Sequence, residues 1–356
     1  MTMRERILAM IRGDTLDRVP FVQYSGLAGP DDEIWSAIGR DRMGIMYWSS
    51  VFRHERPNCR VDRERVERDG VRGERAVMTT PAGRLVEEKF FEPGFGTAHI
   101  TKHFIAEPAD YRVFLSFLRD TVVVEDMDRW YRDERACGDD GVPFCSMGRT
   151  PYQQMWIEWV SLEDLSLHLI EEPDLVHECM DEIAAIHRRA FDLVWKAAGE
   201  VDMAFANFGD NITAPCIGPR NFREWCVPLY DELAGVLDDR GVPVFVHMDG
   251  DLKPLAGDIA TSGVTGLDSF SPKPDNDTSV AEARTAWPEM HLLVNFPSSV
   301  HLEPPERIYE TATEILEDGA HGGKLQIQIS ENVPPERWRV SFPEIVRAID
   351  DFGTPV

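Results

Sequence analysis

The chain has 356 residues, 43% of them hydrophobic, which is enough to bury a substantial core. Its 63 acidic residues against 37 basic leave a net charge of −26. A field of that sign repels phosphate backbones and anionic membranes, so neither nucleic acid nor a membrane surface is an expected partner. No dense Lys/Arg cluster is present to gather a highly anionic substrate.

The opening stretch, MTMRERILAMIRGDTLDRVP, is charged and amphipathic, unlike a secretion signal, and no segment approaches transmembrane length. A cytoplasmic location is the expectation. The six cysteines (Cys59, Cys137, Cys145, Cys179, Cys216, Cys226) show no CxxC-type spacing and read as free thiols.

Arg4–Arg12 reads as a short helix ended by Gly13 and Asp14, and Val19–Tyr24 as a first strand. A region of different character follows, from about Gly26 to Asp120. Within it, Pro81, Ala82 and Gly83 supply a turn between two strand-like runs in Val77–Phe91, which predicts a β-hairpin in an insertion or cap. No flexible linker sets it apart, so the expectation is one domain spanning residues 1–356.

From Pro143 onward, β-prone runs alternate with longer helical stretches. The runs are Pro143–Gly148, Met203–Asp210, Val242–Gly250, Gly266–Pro272, Leu292–Pro297 and Lys324–Glu331. Two helical stretches stand out. Asp174–Ala198 carries Val176, Met180, Ile183 and Ile186 at helical spacing, and Arg220–Asp239 is closed by Gly241. Such alternation implies a parallel sheet. Seven strands are clear, with the eighth expected in Met155–Ile170 or in the insertion. The predicted fold is α/β, a (β/α)₈ TIM barrel with an N-terminal cap containing the hairpin. The competing doubly wound sheet is disfavoured because YSGLAGPDDE, after the first strand, lacks a GxGxxG phosphate turn.

The strands read as apolar until their last residues and then turn polar: Asp210 with Asn211, His247 with Asp249, Ser271, Asn295, and Ser330 with Glu331. In a barrel these ends share the face on which barrel enzymes place their chemistry. His247-Met248-Asp249 is the sharpest feature, because residues i and i+2 of a strand point to one side. An imidazole and a carboxylate suit zinc, iron or manganese, and Glu331 from a later strand would complete a three-ligand site with open positions. A His–Asp pair orienting a general base, or a strand-end pair without chemistry, explains the same residues.

Taken in order, RERILAMIRGDTLDRVPFV, MTTPAGRL, EEPDLVHECMDEI, NFGDNITAPCIGPRNFREWCVPLYDEL and GVPVFVHMDGDLKPL resemble the uroporphyrinogen decarboxylase superfamily over nearly the whole chain. The resemblance implies the (β/α)₈ fold. True decarboxylases of uroporphyrinogen carry an Arg-rich segment after the first strand. Here FVQYSGLAGPDDE has none, which argues against that substrate. The resemblance is closer to the corrinoid-dependent zinc methyltransferases, whose metal motif is His-x-Cys with a distant Cys. His247 matches the His, Asp249 stands for the first Cys, and Glu331 in ENVPPE for the second. Both thiolates are thus carboxylates, and harder oxygen ligands favour activation of an ether or amine leaving group over a thiol.

The resemblance accordingly implies a methyltransferase. It would move a methyl group from a small methylated donor, a methoxylated aromatic or methylamine, to a corrinoid protein. Zn²⁺ or another divalent metal would sit at His247, Asp249 and Glu331. Asp210 and His247 are the expected catalytic residues, and Tyr24, Asn211 and Asn295 the expected substrate-binding ones. A homodimer is left open. The alternative is a metal-independent decarboxylase acting on a small carboxylate through Asp210 and His247.

Overall fold

The computed structural model describes residues 1–92 and 97–355; residues 93–96 of the expected insertion, and residue 356, lie outside the described residues. Eight parallel strands close into a barrel: β1 Phe21–Tyr24, β2 Gly44–Ser49, β3 Gly141–Gly148, β4 Ala206–Phe208, β5 Val244–His247, β6 Gly266–Phe270, β7 His291–Asn295 and β8 Leu325–Ile329. They follow one another round the barrel in chain order, and the seam is sealed by β1 pairing with β8, Phe21 against Ile327. Helices separate successive strands, as a parallel sheet requires. The predicted (β/α)₈ barrel is therefore the fold.

The missing eighth strand is β2, GIMYWS, which falls inside the range read as insertion. Met155–Ile170, the other place considered, holds a π-helical turn at Met155–Trp159 followed by a helix. The stretch Arg220–Asp239 also differs from expectation. It contains parts of two helices, Ala214–Trp225 and Val227–Leu237, broken at Cys226 just before Pro228, which fits only in a helix's first turn. Gly241 ends the following 3₁₀ turn in the left-handed conformation, as predicted.

The first helix, α1 (Met3–Arg12), begins in a capping box: the Thr2 side chain accepts from the Glu5 N–H, and the Glu5 carboxylate accepts from the Thr2 N–H. Gly13, in left-handed conformation, stops it. Ile7, Leu8, Met10 and Ile11 are buried against Val22, Val142, Phe144, Phe205, Phe245 and Leu293 of the barrel core. Arg6 is also buried, and its guanidinium forms a paired contact with both carboxylate oxygens of Asp17, each at 2.7 Å.

The chain divides into two compact units. The barrel unit comprises residues 1–51, 126–148 and 194–356, and contains all eight strands. The second unit, residues 52–125 and 149–193, holds a two-stranded antiparallel pair and a four-stranded antiparallel sheet. That sheet includes the predicted hairpin, Val71–Thr80 paired with Gly83–Phe91. The six cysteines, all among the described residues, form no disulfide. No helix among the described residues is long and apolar enough to cross a membrane.

Candidate metal centre

β5 ends at His247, which is 6% exposed, and Asp249 follows two residues later. The turn between them and the next loop is tight. A Cβ on Gly250 would lie 2.2 Å from Thr213 Cβ, so only glycine lets the backbone pass. Glu331 arrives from the far side, two residues beyond the end of β8. One ligand atom from each of His247, Asp249 and Glu331 lies within 4.8 Å of the other two. The predicted triad is thus brought together from residues as far as 84 positions apart in the chain, at the carboxyl ends of strands where barrel enzymes place chemistry.

The two ring nitrogens of His247 face different surroundings. Nε2 lies 3.6 Å from Asp249 Oδ2, on the side of the carboxylate pair. Nδ1 points into the barrel, 3.3 Å from Asp268 Oδ2 and 3.3 Å from the Tyr24 hydroxyl. Burial opposes charge on the imidazole, but hydrogen bonding to Asp249 and Asp268 overcomes it and raises the pKa to about 10. Burial, reinforced by the neighbouring Asp249 carboxylate, pushes Glu331 up to about 7. Asp249 is held below the usual carboxylate range against its burial, chiefly by His247 and then by Asn211.

Asp249 is anchored on two sides. Asn211 Nδ2 donates to its Oδ2 at 2.7 Å, and Asn276 Nδ2 donates to its carbonyl at 2.7 Å. Asn211 holds this position at φ 54°, a left-handed conformation that asparagine tolerates better than most residues. Asn295, 2% exposed, bridges neighbouring strand ends: its Oδ1 accepts from the Ser330 N–H at 3.0 Å and its Nδ2 donates to Ser271 Oγ at 3.3 Å. Asp210 is fully buried and accepts a hydrogen bond from the Tyr230 hydroxyl. The ring of Tyr24 lies 6.4 Å from that of His247, and Trp48 stands 6.0 Å away, so two aromatic rings flank the imidazole.

Strand polarity is more extensive than the sequence reading held. Gln23, Asn207, Asp268, Gln326 and Gln328 are all within strands and at most 1% exposed. Asp268, which contacts His247, is the site residue that sequence reasoning missed. In β8, Gln326 and Gln328 alternate with Leu325, Ile327 and Ile329, and that period of two was the available signal for a polar barrel interior. No comparable pattern marks Asp268. It sits where the register of β6 shifts against β7 and Ser269 adopts φ 61°. The bulge lets two consecutive residues turn inward: Asp268 accepts from Gln328, and the Ser269 hydroxyl contacts Ser330.

The donor set fits a divalent cation. One imidazole nitrogen and two carboxylate oxygens converge, and a further carboxylate backs the second imidazole nitrogen, the outer arrangement that metal-bound histidines have. No thiolate takes part, so the site is harder than a Cys-rich zinc centre.

A closed parallel barrel with converging ionisable side chains at its strand ends defines the class: a barrel of the enzyme type, with a metal-competent centre. The family model described as uroporphyrinogen decarboxylase (URO-D) matches residues 160–342, just over half of the chain and including all three candidate ligands. The chain belongs to the uroporphyrinogen decarboxylase family. Among solved structures, a methyltransferase from Methanosarcina mazei matches over 99% of both chains at 15% identity with a TM-score of 0.58, which shows a shared fold. A B12-independent methionine synthase from Shewanella sp. W3-18-1, in complex with selenomethionine, covers 65% of this chain and 68% of its own at 12% identity and a TM-score of 0.40. No curated protein matches the chain.

Proposed function

We propose that this barrel is a metal-assisted methyltransferase that takes a methyl group from a small methylated donor, of methoxylated-aromatic or methylamine type, for delivery to a corrinoid protein. The observation that carries the reading is the convergence of His247, Asp249 and Glu331 within 4.8 Å. Family membership and the fold shared with a methyltransferase support it.

His247 Nε2 and one oxygen each of Asp249 and Glu331 would hold Zn²⁺ or another divalent cation. When bound, that cation supplies Lewis acidity towards the heteroatom bearing the methyl group. The chain's own residues do the remaining work. Asn211 holds Asp249 in place, and Asn295 ties the β7 end to Ser330, next to Glu331. Tyr24 and Trp48 present ring surface beside the imidazole, suited to an aromatic or methylated cationic donor. The departing heteroatom takes its proton from water, because Glu331 as a ligand is ionised and has none to give.

Metal analysis of the purified protein, paired with methyl-transfer assays on wild type and His247→Ala, tests this reading. Stoichiometric metal in wild type and its loss together with activity in His247→Ala are expected. Metal-free wild type with undiminished methyl transfer would overturn it.

A second reading has its own observation. Without a cation, the His247 imidazolium lies between Asp249 and Asp268 and could stabilise the carbanion left by loss of carbon dioxide. Chelator-insensitive carbon dioxide release from a small carboxylate would favour it.

A further inference from the structure

Asp268 is fully buried, and among the described residues its carboxylate is met by three proton donors and by His247 Nδ1. The Tyr24 hydroxyl donates to Oδ2 at 2.7 Å and Asn207 Nδ2 donates to Oδ2 at 2.8 Å. Gln328 Nε2 donates to Oδ1 at 3.0 Å, and His247 Nδ1 faces Oδ2 at 3.3 Å. The donors are themselves oriented. Gln326 Nε2 donates to Gln328 Oε1 at 3.1 Å, which turns the Gln328 amide nitrogen towards Asp268. Asn207 gives its amide nitrogen to Asp268 while its own Oδ1, also buried, finds no protein partner among the described residues. A buried acceptor without a partner is costly, so the carboxylate dominates the choice of amide orientation.

Among the described residues, His247 Nδ1 therefore meets only acceptors. One is Asp268 Oδ2. The other is the Tyr24 oxygen, whose own proton is committed to Asp268. A lone pair on Nδ1 would face two oxygens and be repelled, so Nδ1 must carry a hydrogen.

We propose that Asp268 is a positioning residue that keeps the proton on His247 Nδ1 and so presents the lone pair of Nε2 to the space shared with Asp249 and Glu331. The inference rests on the metal-assisted reading of the site. It assigns to Asp268, with Tyr24 and Asn207 behind it, the choice of which imidazole nitrogen is free to bind. A neutral asparagine in its place brings two hydrogens into a ring of donors. Either it turns its amide nitrogen to Nδ1, moving the ring proton to Nε2, or it opposes Gln328.

Zinc titration calorimetry on the metal-free full chain compares wild type, Asp268→Asn, Tyr24→Phe and Asn207→Ala, with folding monitored by circular dichroism. Zinc affinity should fall on the order of 10–100-fold in Asp268→Asn and by less in the other two. Ring ¹⁵N spectra of the zinc-loaded protein, with the His247 signal assigned through His247→Gln, should show Nδ1 protonated in wild type. That proton should be absent or exchanging in Asp268→Asn. A folded Asp268→Asn with wild-type affinity and an unchanged Nδ1 signal overturns the proposal. If Asp268→Asn does not fold, unchanged zinc affinity in both Tyr24→Phe and Asn207→Ala overturns it. If wild type binds no zinc, the metal reading falls and the metal-free spectra decide. Taken at a pH where the ring is neutral, a proton on Nδ1 in wild type that moves to Nε2 in Asp268→Asn supports Asp268 as its keeper, and the same tautomer in both refutes it.

Discussion

At the scale of single residues, chemistry and backbone geometry are tied at Gly250, which lies one position past a candidate ligand and against Thr213. Gly250→Ala forces the two loops apart and should cost about 1–3 kcal/mol as overpacking. Because Asp249 moves with the loop, metal affinity should fall together with the melting temperature. A melt and a zinc titration on the same variant check both. His301 makes a different statement. It is 1% exposed, its Nδ1 shares a hydrogen bond with Ser341 Oγ at 2.7 Å, and burial, aided by the Arg337 charge, lowers its pKa to about 4. An unfolded histidine titrates near 6.5, so the folded pKa is depressed. The stability this neutral ring contributes is full above about pH 6.5 and is lost as pH falls towards 4. The loss amounts to about 2 kcal/mol by pH 5. Thermal melts between pH 7.5 and 5 should show a shallower decline in His301→Gln than in wild type, and equal slopes would refute the assignment.

At the scale of elements, α1 is a hydrophobic plug with one polar clamp. Ile7 is fully buried among barrel residues, and Ile7→Ala should cost about 2–5 kcal/mol in chemical denaturation. Most elements were legible in the sequence because their periods were clean: seven strands, α1, the long helix and the hairpin all appear within a few residues of their expected places. β2 was not legible. GIMYWS is short, and it is separated from β3 by the whole of the second unit's first segment, so the strand–helix rhythm that exposed the others is absent around it. The triad was legible because His247 and Asp249 stand two positions apart where one strand ends and Glu331 lies two residues past the end of another. Asp268 was not, because one acidic residue in GLDSF resembles a strand-end residue until the register shift with β7 is known. Local pattern reveals which way a regular strand faces, but a bulge changes facing through long-range pairing.

At the scale of the molecule, the charge of −26 sets the background against which the site works. Self-repulsion of that size destabilises the compact state and is screened by salt. The melting temperature at pH 7.5 should therefore rise between about 10 mM and 150 mM sodium chloride, where the Debye length shrinks from about 30 Å to about 8 Å. A flat or falling trend would show that specific ion pairs outweigh the net charge. The same background favours donors that are neutral or cationic over anionic ones, in keeping with the methyl donors proposed.

The order of the strands has a kinetic consequence. His247 ends β5, Asp249 follows it, and Glu331 lies two residues past β8, so the three side chains become neighbours once β5, β6, β7 and β8 have paired side by side. A cation held by all three would act as a clasp across that half of the wall. Peeling β8 from β7 would have to break a ligand bond as well as the strand pairing. A bound cation should then slow unfolding as well as shift its midpoint, and the appearance of tight binding during refolding would time the assembly of the last four strands.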